Sequence, residues 1–361
     1  MRAVNYGDPE FIDAELVPHT DGFSLDADRI RAGTQALGVF AKQLTARVLR
    51  IHAEGPLCPS ELEERIGWAP GTSLRTAATT LRRLGALARI EPGNGGRATA
   101  TELTDAGREL LLVADALEHW LLSAPGGPIR LDSTAGRGTV KVLTAGWDST
   151  IVMALAERPL SLTELNDAIV HTNYPALKRR ISKLRSTSLI SPIGRGKGTT
   201  YVATDWLRRA IAPIVVAGRW ERKHDSSFEP VTRGEAESAF MLTLPLVDEL
   251  PGEITGTCAL TVLAAGHRDG RQGEIGGVAV EVEGGRIAAF SPNTALAPTT
   301  WALGTADAWF EAVIEGRPEA LEIRGIQPEL PLGIVEAIHA ILLTPASGAD
   351  SGEGEPAGLS S

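Results

Sequence analysis

The sequence predicts an α+β protein in which a mostly helical unit occurs twice and is followed by a C-terminal block of different character. Three observations lead there. Short sequence words recur about 100 residues apart, charge is divided unevenly along the chain, and the apolar period changes from helical to alternating near residue 236. The 361 residues, 43% hydrophobic and 22% charged, are those of a globular chain of roughly two to four domains.

The repeat comes first. Gly55-Pro56-Leu57 followed by Ser60-Glu61-Leu62 matches Arg158-Pro159-Leu160 followed by Thr163-Glu164-Leu165, an offset of 103. Thr104-Asp105 matches Thr204-Asp205, and Trp120 matches Trp220, both at an offset of 100. Between them Leu81-Arg82-Arg83-Leu84 is set against Ile181-Ser182-Lys183-Leu184. Two copies are expected, at 34–123 and 138–224, after an acidic segment at 1–33.

Each copy shows one order of elements. An apolar helix (near Val39–His52 and near Trp147–Ala156) is followed by a Pro-Leu turn and a short helix begun by Ser60 or Thr163. A basic helix comes next, with Leu74, Ala78, Leu81 and Leu84 inward in the first copy and Leu177, Ile181 and Leu184 in the second. Pro175 suits the first turn of its helix, where no amide proton is needed. Two short strands then flank glycine-rich tips at 91–97 and 194–198, and a last helix runs to Trp120 or Trp220. Helix, helix, basic helix, hairpin, helix is the order of a winged helix-turn-helix.

Both copies resemble the winged-helix domains of HxlR/MarR-type bacterial transcription regulators, over roughly 190 residues. The words that carry the resemblance are Trp147-Asp-Ser-Thr-Ile-Val-Met-Ala-Leu155, Pro159-Leu160, Glu164-Leu165 and Leu177-Lys-Arg-Arg-Ile-Ser-Lys-Leu184. The first copy departs from the pattern, with Leu44 in place of the tryptophan and without the early cysteine of redox-sensing members. The resemblance implies that the basic helix enters the DNA major groove. In the second copy Thr172, Asn173, Tyr174, Lys178, Arg179, Ser182 and Lys183 would then face DNA, with Arg195 and Lys197 on the wing. Arg179 has the geometry for a bidentate contact to guanine. In the first copy Arg75, Thr76, Thr79 and Arg83 form the outer face, with Arg97 on the wing. The first copy could instead serve mainly for dimerisation.

From residue 236 strands are expected at Ala239–Val247, Thr257–Ala265, Ile275–Glu283, Arg286–Ser291 and Thr299–Leu303, the third and fourth joined by Gly284-Gly285. Helices at Thr305–Glu315 and Pro328–Leu342 enclose a strand-like Leu321-Glu-Ile, and 344–361 is a small, polar tail expected to be disordered. The words Thr300-Trp-Ala-Leu-Gly-Thr-Ala-Asp-Ala-Trp-Phe310 and Gly325 before a helix ending Ala337-Ile-His-Ala340 are similar to those of the SCP2 sterol-carrier fold. That likeness implies an SCP2-like α/β sandwich over 236–343 around an apolar tunnel for hydrophobic ligands. Phe240, Phe290, Trp301, Trp309 and Phe310 would line it; the bland alternative is ordinary core.

The net charge of −10 is unevenly placed. Residues 124–229 carry 16 basic and 9 acidic groups, whereas 230–361 carry 6 and 19. Fields of that range act locally, so separate domains with different partners are expected. Arginine outnumbers lysine 29 to 6, a bias of GC-rich bacterial coding.

Other chemistries find no motif. Two cysteines make neither a disulfide framework nor a four-thiolate metal site. The seven histidines show no His-x-x-x-His pair, and Gly198 after Lys197 breaks the phosphate-loop pattern. No nucleophile elbow or dinucleotide fingerprint stands out, so no catalytic site, metal or cofactor is expected. Neither a secretory signal nor a membrane span is evident, which leaves a cytoplasmic protein as the expectation. The sequence therefore reads as a ligand-responsive regulator of transcription that binds double-stranded operator DNA and a hydrophobic effector, as a homodimer. The competing reading is a ligand-sequestering or carrier protein whose winged helices pair subunits. An enzyme with a winged-helix dimerisation module is a third.

Overall fold

A computed structural model describes residues 32–90, 99–169, 173–196, 198–225, 230–264, 273–292 and 296–343. Among them the chain is a mixture of helices and sheets, and the repeat is visible as two equivalent sets of elements.

The first set is α1 (Thr34–Phe40), α2 (Thr45–His52), α3 (Pro59–Ile66), α4 (Gly71–Arg83), β1 (Leu87–Ile90), β2 (Ala100–Leu103) and α5 (Asp105–Leu122). The second is α6 (Thr134–Leu143), α7 (Gly146–Glu157), β3 (Leu160–Ser161), α8 (Leu162–Ala168), α9 (Tyr174–Ser186), β4 (Ile190–Ile193), β5 (Thr200–Ala203), α10 (Asp205–Arg209) and α11 (Ile211–His224). The second set thus starts at Thr134 rather than residue 138, because Ser133 caps α6 through its hydroxyl on the Gly136 N–H at 2.9 Å.

These bounds correct the sequence alignment. α4 and α9 are both 13 residues long and stand 103 apart, as do β1 and β4, whereas β2 and β5 stand 100 apart. The three-residue difference therefore falls between the two strands of each hairpin. Leu81 corresponds to Leu184 and not to Ile181. A second correction concerns α4 itself: its inward face is Leu74, Ala77 and Leu81, with Ala78 and Leu84 only half-buried.

Several local expectations change for identifiable reasons. The apolar stretch 39–52 is two helices, because Leu44 takes a left-handed φ of 66° between them. That conformation costs a leucine about 1 kcal/mol and is tolerated here with its side chain buried. The short helices begin at Pro59 and Leu162, and their caps, Cys58 and Ser161, stand two residues before Ser60 and Thr163. Ser161 accepts from the Glu164 N–H while the Glu164 carboxylate accepts from the Ser161 N–H at 2.8 Å, and Cys58 N–H donates to Glu61 at 2.7 Å. The Ser161 N–H, with the Arg158 guanidinium and the Ser161 hydroxyl beside it, brings the Glu164 carboxyl down to about 2. α5 runs unbroken, but its counterpart breaks at Ala210: Pro213 has no N–H to offer Arg209 and crowds that turn.

The two small sheets keep one register. Leu57 bridges Thr101 in the first copy, and Leu160 pairs with Tyr201 in the second. β1 with β2, and β4 with β5, are antiparallel.

The C-terminal block opens with a helix, α12 (Arg233–Thr243), and a 3-10 turn at Leu244–Leu246, where alternation predicted a strand over Ala239–Val247. Thr232 and Glu235 form a capping box that starts the helix, and Pro245 ends it. Ala236 and Phe240, four apart, are on its buried side. Then follow β6 (Gly256–Leu263), β7 (Glu274–Glu283), β8 (Arg286–Ser291), β9 (Thr300–Thr305), α13 (Ala306–Val313), β10 (Glu322–Gly325) and α14 (Glu329–Leu343). The sheet order is β10-β9-β6-β7-β8, antiparallel except where β6 and β9 run parallel. Gly284 and Gly285 close the β7–β8 hairpin with φ of 55° and 78°, a turn that suits glycine.

The C-terminal block does not stand apart. α12 packs on both β7 and α7, and α13 and α14 touch α11. Arg222 pairs with Asp307 at 2.7 Å, Arg219 with Glu315, and the buried Arg208 guanidinium donates to the carbonyls of Met241 and Leu242. Part of the charge contrast between the middle and the C-terminal third is therefore spent inside the chain. Among the described residues no helix is long and apolar enough to cross a membrane.

Candidate nucleic-acid interface

α5 and α11, the equivalent last helices, pack on each other, and so do the equivalent first helices α1 and α6. Pairs of equivalents meeting at one interface are what a two-fold axis produces. The hydrogen bonds agree: the Trp120 indole N–H donates to the carbonyl of Trp206 at 2.7 Å, and the Trp220 indole N–H donates to Ala106 at 2.7 Å. Adding 100 to Trp120 and subtracting 100 from Trp206 turns the first bond into the second. Trp206 adds its own N–H to the Trp120 carbonyl at 3.0 Å, and the two rings stack with centroids 4.8 Å apart. The two copies thus form a pseudo-two-fold pair within one chain.

On this frame α4 and α9 each turn one apolar face inward and a basic face outward. On α9, Leu177, Ile181 and Leu184 are buried while Tyr174, Lys178, Arg179, Ser182, Lys183, Arg185 and Ser186 are exposed. On α4, Arg75, Thr76 and Arg83 are exposed and Thr79 is half-buried. Neither helix carries an acid. Among the described residues Lys178 and Arg179 make no ion pair, so their charges are available.

Some expected contacts have other duties. Asn173 accepts the Ala176 N–H at 2.9 Å and is the cap of α9. The Ser182 hydroxyl donates to the Lys178 carbonyl, and Thr76 to Thr72, which leaves their oxygen lone pairs facing out. Lys183 is the clearest departure. Its ammonium lies 3.3 Å from Asp148, a carboxylate 1% exposed in the first turn of α7, which Arg180 also meets at 2.9 Å. Lys183 keeps a half-exposed side chain, but it joins Arg180 in clamping α9 to α7. Arg195 is exposed between β4 and β5. Thr172, Lys197 and Arg97 lie outside the described residues.

Sequence reasoning missed two features of this surface. Arg82 and Arg185 occupy matched positions at the 103-residue offset, a signal hidden by aligning the helices at 100. Asp148 looked like an ordinary helix residue; its first-copy equivalent is Thr45, whose hydroxyl is buried without a partner. Asp148→Ala should therefore strip two charge-assisted bonds and cost about 2 kcal/mol in urea unfolding. Lys183→Ala, at the exposed end of the clamp, should cost less than about 1 kcal/mol.

A second feature is an apolar cavity of about 220 Å³. Phe240, Trp309 and Phe310 line it as expected, but Trp301 and Phe290 do not. The correction follows from its position. The cavity sits between the sheet's helices and the helices of the repeated unit, so Leu37, Met153 and Ile214 form its opposite wall. Trp301 and Phe290, half-buried on the sheet, are elsewhere. Trp309 is fixed there by its indole N–H on the Thr261 carbonyl at 2.8 Å and by edge contact with Phe240 at 4.9 Å.

Among the described residues no cluster of histidine, cysteine or acidic side chains has the form of a metal site. Cys258 is buried, and burial pushes its thiol up to about 12, too high for a reactive thiolate. No protein-family model matches the chain, and no curated protein matches it.

Proposed function

We propose that the chain is a DNA-binding transcription regulator in which α4 and α9 are the recognition helices and a small apolar effector sets their arrangement. The observation that carries this reading is the pair of outward basic faces, free of acids, on equivalent helices of one pseudo-two-fold frame. A DNA duplex has two-fold axes perpendicular to its length, so two helices related in this way suit two stretches of its major groove. Lys178, Arg75, Arg82 and Arg185 then neutralise phosphates, and Arg179 reads a guanine.

The test is a binding titration against DNA from a random-duplex selection, repeated at several salt concentrations. For the four phosphate contacts named, raising salt from 50 to 200 mM should weaken binding by roughly 10²-fold. Arg179→Ala should lose about 1–3 kcal/mol and relax the preference at one base pair. Wild-type affinity in that variant would remove α9 from the interface.

The cavity favours a second reading, a carrier of small hydrophobic molecules. About 150 Å³ is enough for benzene, so 220 Å³ suits a bicyclic aromatic or a short branched chain. In the regulator reading the same space is the effector site. A ligand there touches the winged-helix pair on one side and α12–α14 on the other, so it shifts domain arrangement if it binds one arrangement better. Salt-insensitive ligand uptake without DNA binding would favour the carrier.

A further inference from the structure

Placed at their true offset, the two recognition helices are alike at some outward positions and unlike at others. Arg75 stands where Lys178 does, Thr79 where Ser182 does, and Arg82 where Arg185 does. Thr76, however, occupies the position of Arg179, and Arg83 that of Ser186. The frame that holds them is closed within the chain: α5 fills the face of α11, α1 that of α6, and the tryptophan bonds are reciprocal.

Resting on the DNA-binding reading above, we propose that one chain, without a partner chain, reads an inverted site whose two halves are unequal. The halves are inverted because a two-fold axis relates the helices that read them. They share the base pair faced by Thr79 or Ser182, and Arg75 and Lys178 hold equivalent phosphates. They differ where Arg179 meets the second half and Thr76 meets the first. A guanidinium at that position selects guanine through its O6 and N7 acceptors, whereas a threonine accepts several bases and favours the methyl of thymine. The α9 half therefore carries a guanine that the α4 half lacks. A homodimer would need a surface other than α5–α11, since that one is occupied by the chain's own copy.

The geometry makes the asymmetry adjustable by single exposed side chains. Thr76→Arg should give the first half the guanine preference of the second and turn the selected sequence into a palindrome at that base pair. Arg179→Thr should do the reverse and reduce guanine discrimination roughly tenfold to a hundredfold. The experiment is a random-duplex selection with the full chain and with each variant, with the mass of the bound complex measured on the winning duplex. One chain per duplex, unequal inverted halves and a palindrome from Thr76→Arg are the expected result. Two chains on a site of equal halves, a direct repeat, or an unchanged motif with Thr76→Arg would overturn this proposal while leaving DNA binding in place. Failure to enrich any duplex would overturn the DNA-binding reading itself, and this proposal with it.

Discussion

Trp120→Ala should cost about 3–5 kcal/mol, measured by urea unfolding, and should unfold both copies together. Its ring is 3% exposed and stacked on Trp206, so truncation leaves a cavity as well as lost contact area. It also orphans the Trp206 carbonyl, which takes the indole N–H in a buried bond. Trp120→Phe, which keeps a stacking ring but no N–H, should cost roughly 1–3 kcal/mol. The expectation that both copies respond comes from where the residue sits. α5 and α11 share one seam, so loosening it exposes apolar surface on each copy. Two transitions, with only the first copy lost, would show that the copies are independent units that merely touch. The Trp220→Ala variant is the symmetric control, because its N–H serves Ala106 in the same way.

How much of this was legible in the sequence depends on distance along the chain. The repeat could be read because both copies carry the same local words, such as Glu61-Leu62 and Glu164-Leu165 with their leucines buried, at nearly constant spacing. The basic helices could be read because Leu177, Ile181 and Leu184 repeat with helical period. The helix α12 was misread because Phe240, Leu242, Leu244 and Leu246 alternate with smaller residues, and alternation outweighed the capping box at Thr232 and Glu235. A stretch buried on more than one side loses the period that would identify it. What joins the copies was not legible at all. Trp120 and Trp206 are 86 residues apart, and the cavity gathers residues from Leu37 to Leu342. No local pattern encodes such meetings; they follow from packing of whole units, and the sequence hints at them only through tryptophans that need partners for their N–H groups.

The seam contains a second residue whose loss should be severe. Glu221 is 3% exposed on α11, yet its carboxylate accepts three backbone N–H groups from the other copy: Gly33 at 2.6 Å, Gln35 at 2.7 Å and Ala36 at 2.8 Å. It caps α1 from outside, where α1 has no side-chain cap of its own. Gly33 must be small and left-handed there, with φ of 84°, because a Cβ would lie 2.7 Å from the Ile214 carbonyl. The opposite end of the symmetry has no such need: α6 caps itself with Ser133, and the counterpart of Glu221 is Leu121. Glu221→Ala should leave three donors unmet, two of them buried, and destabilise the chain by about 3 kcal/mol. Burial pushes this carboxyl above its ordinary range, the three N–H donors only partly opposing it. A raised folded-state value means the native chain holds the proton more tightly than the unfolded one, so the advantage from this group is full below the ordinary glutamate range and declines as pH climbs through the raised value. The stability gap between the native chain and Glu221→Ala should therefore narrow as pH rises from about 4.5 and level off above the raised value. A gap that widened over that interval would mean that the donors outweigh burial and that the cap is a charged one throughout.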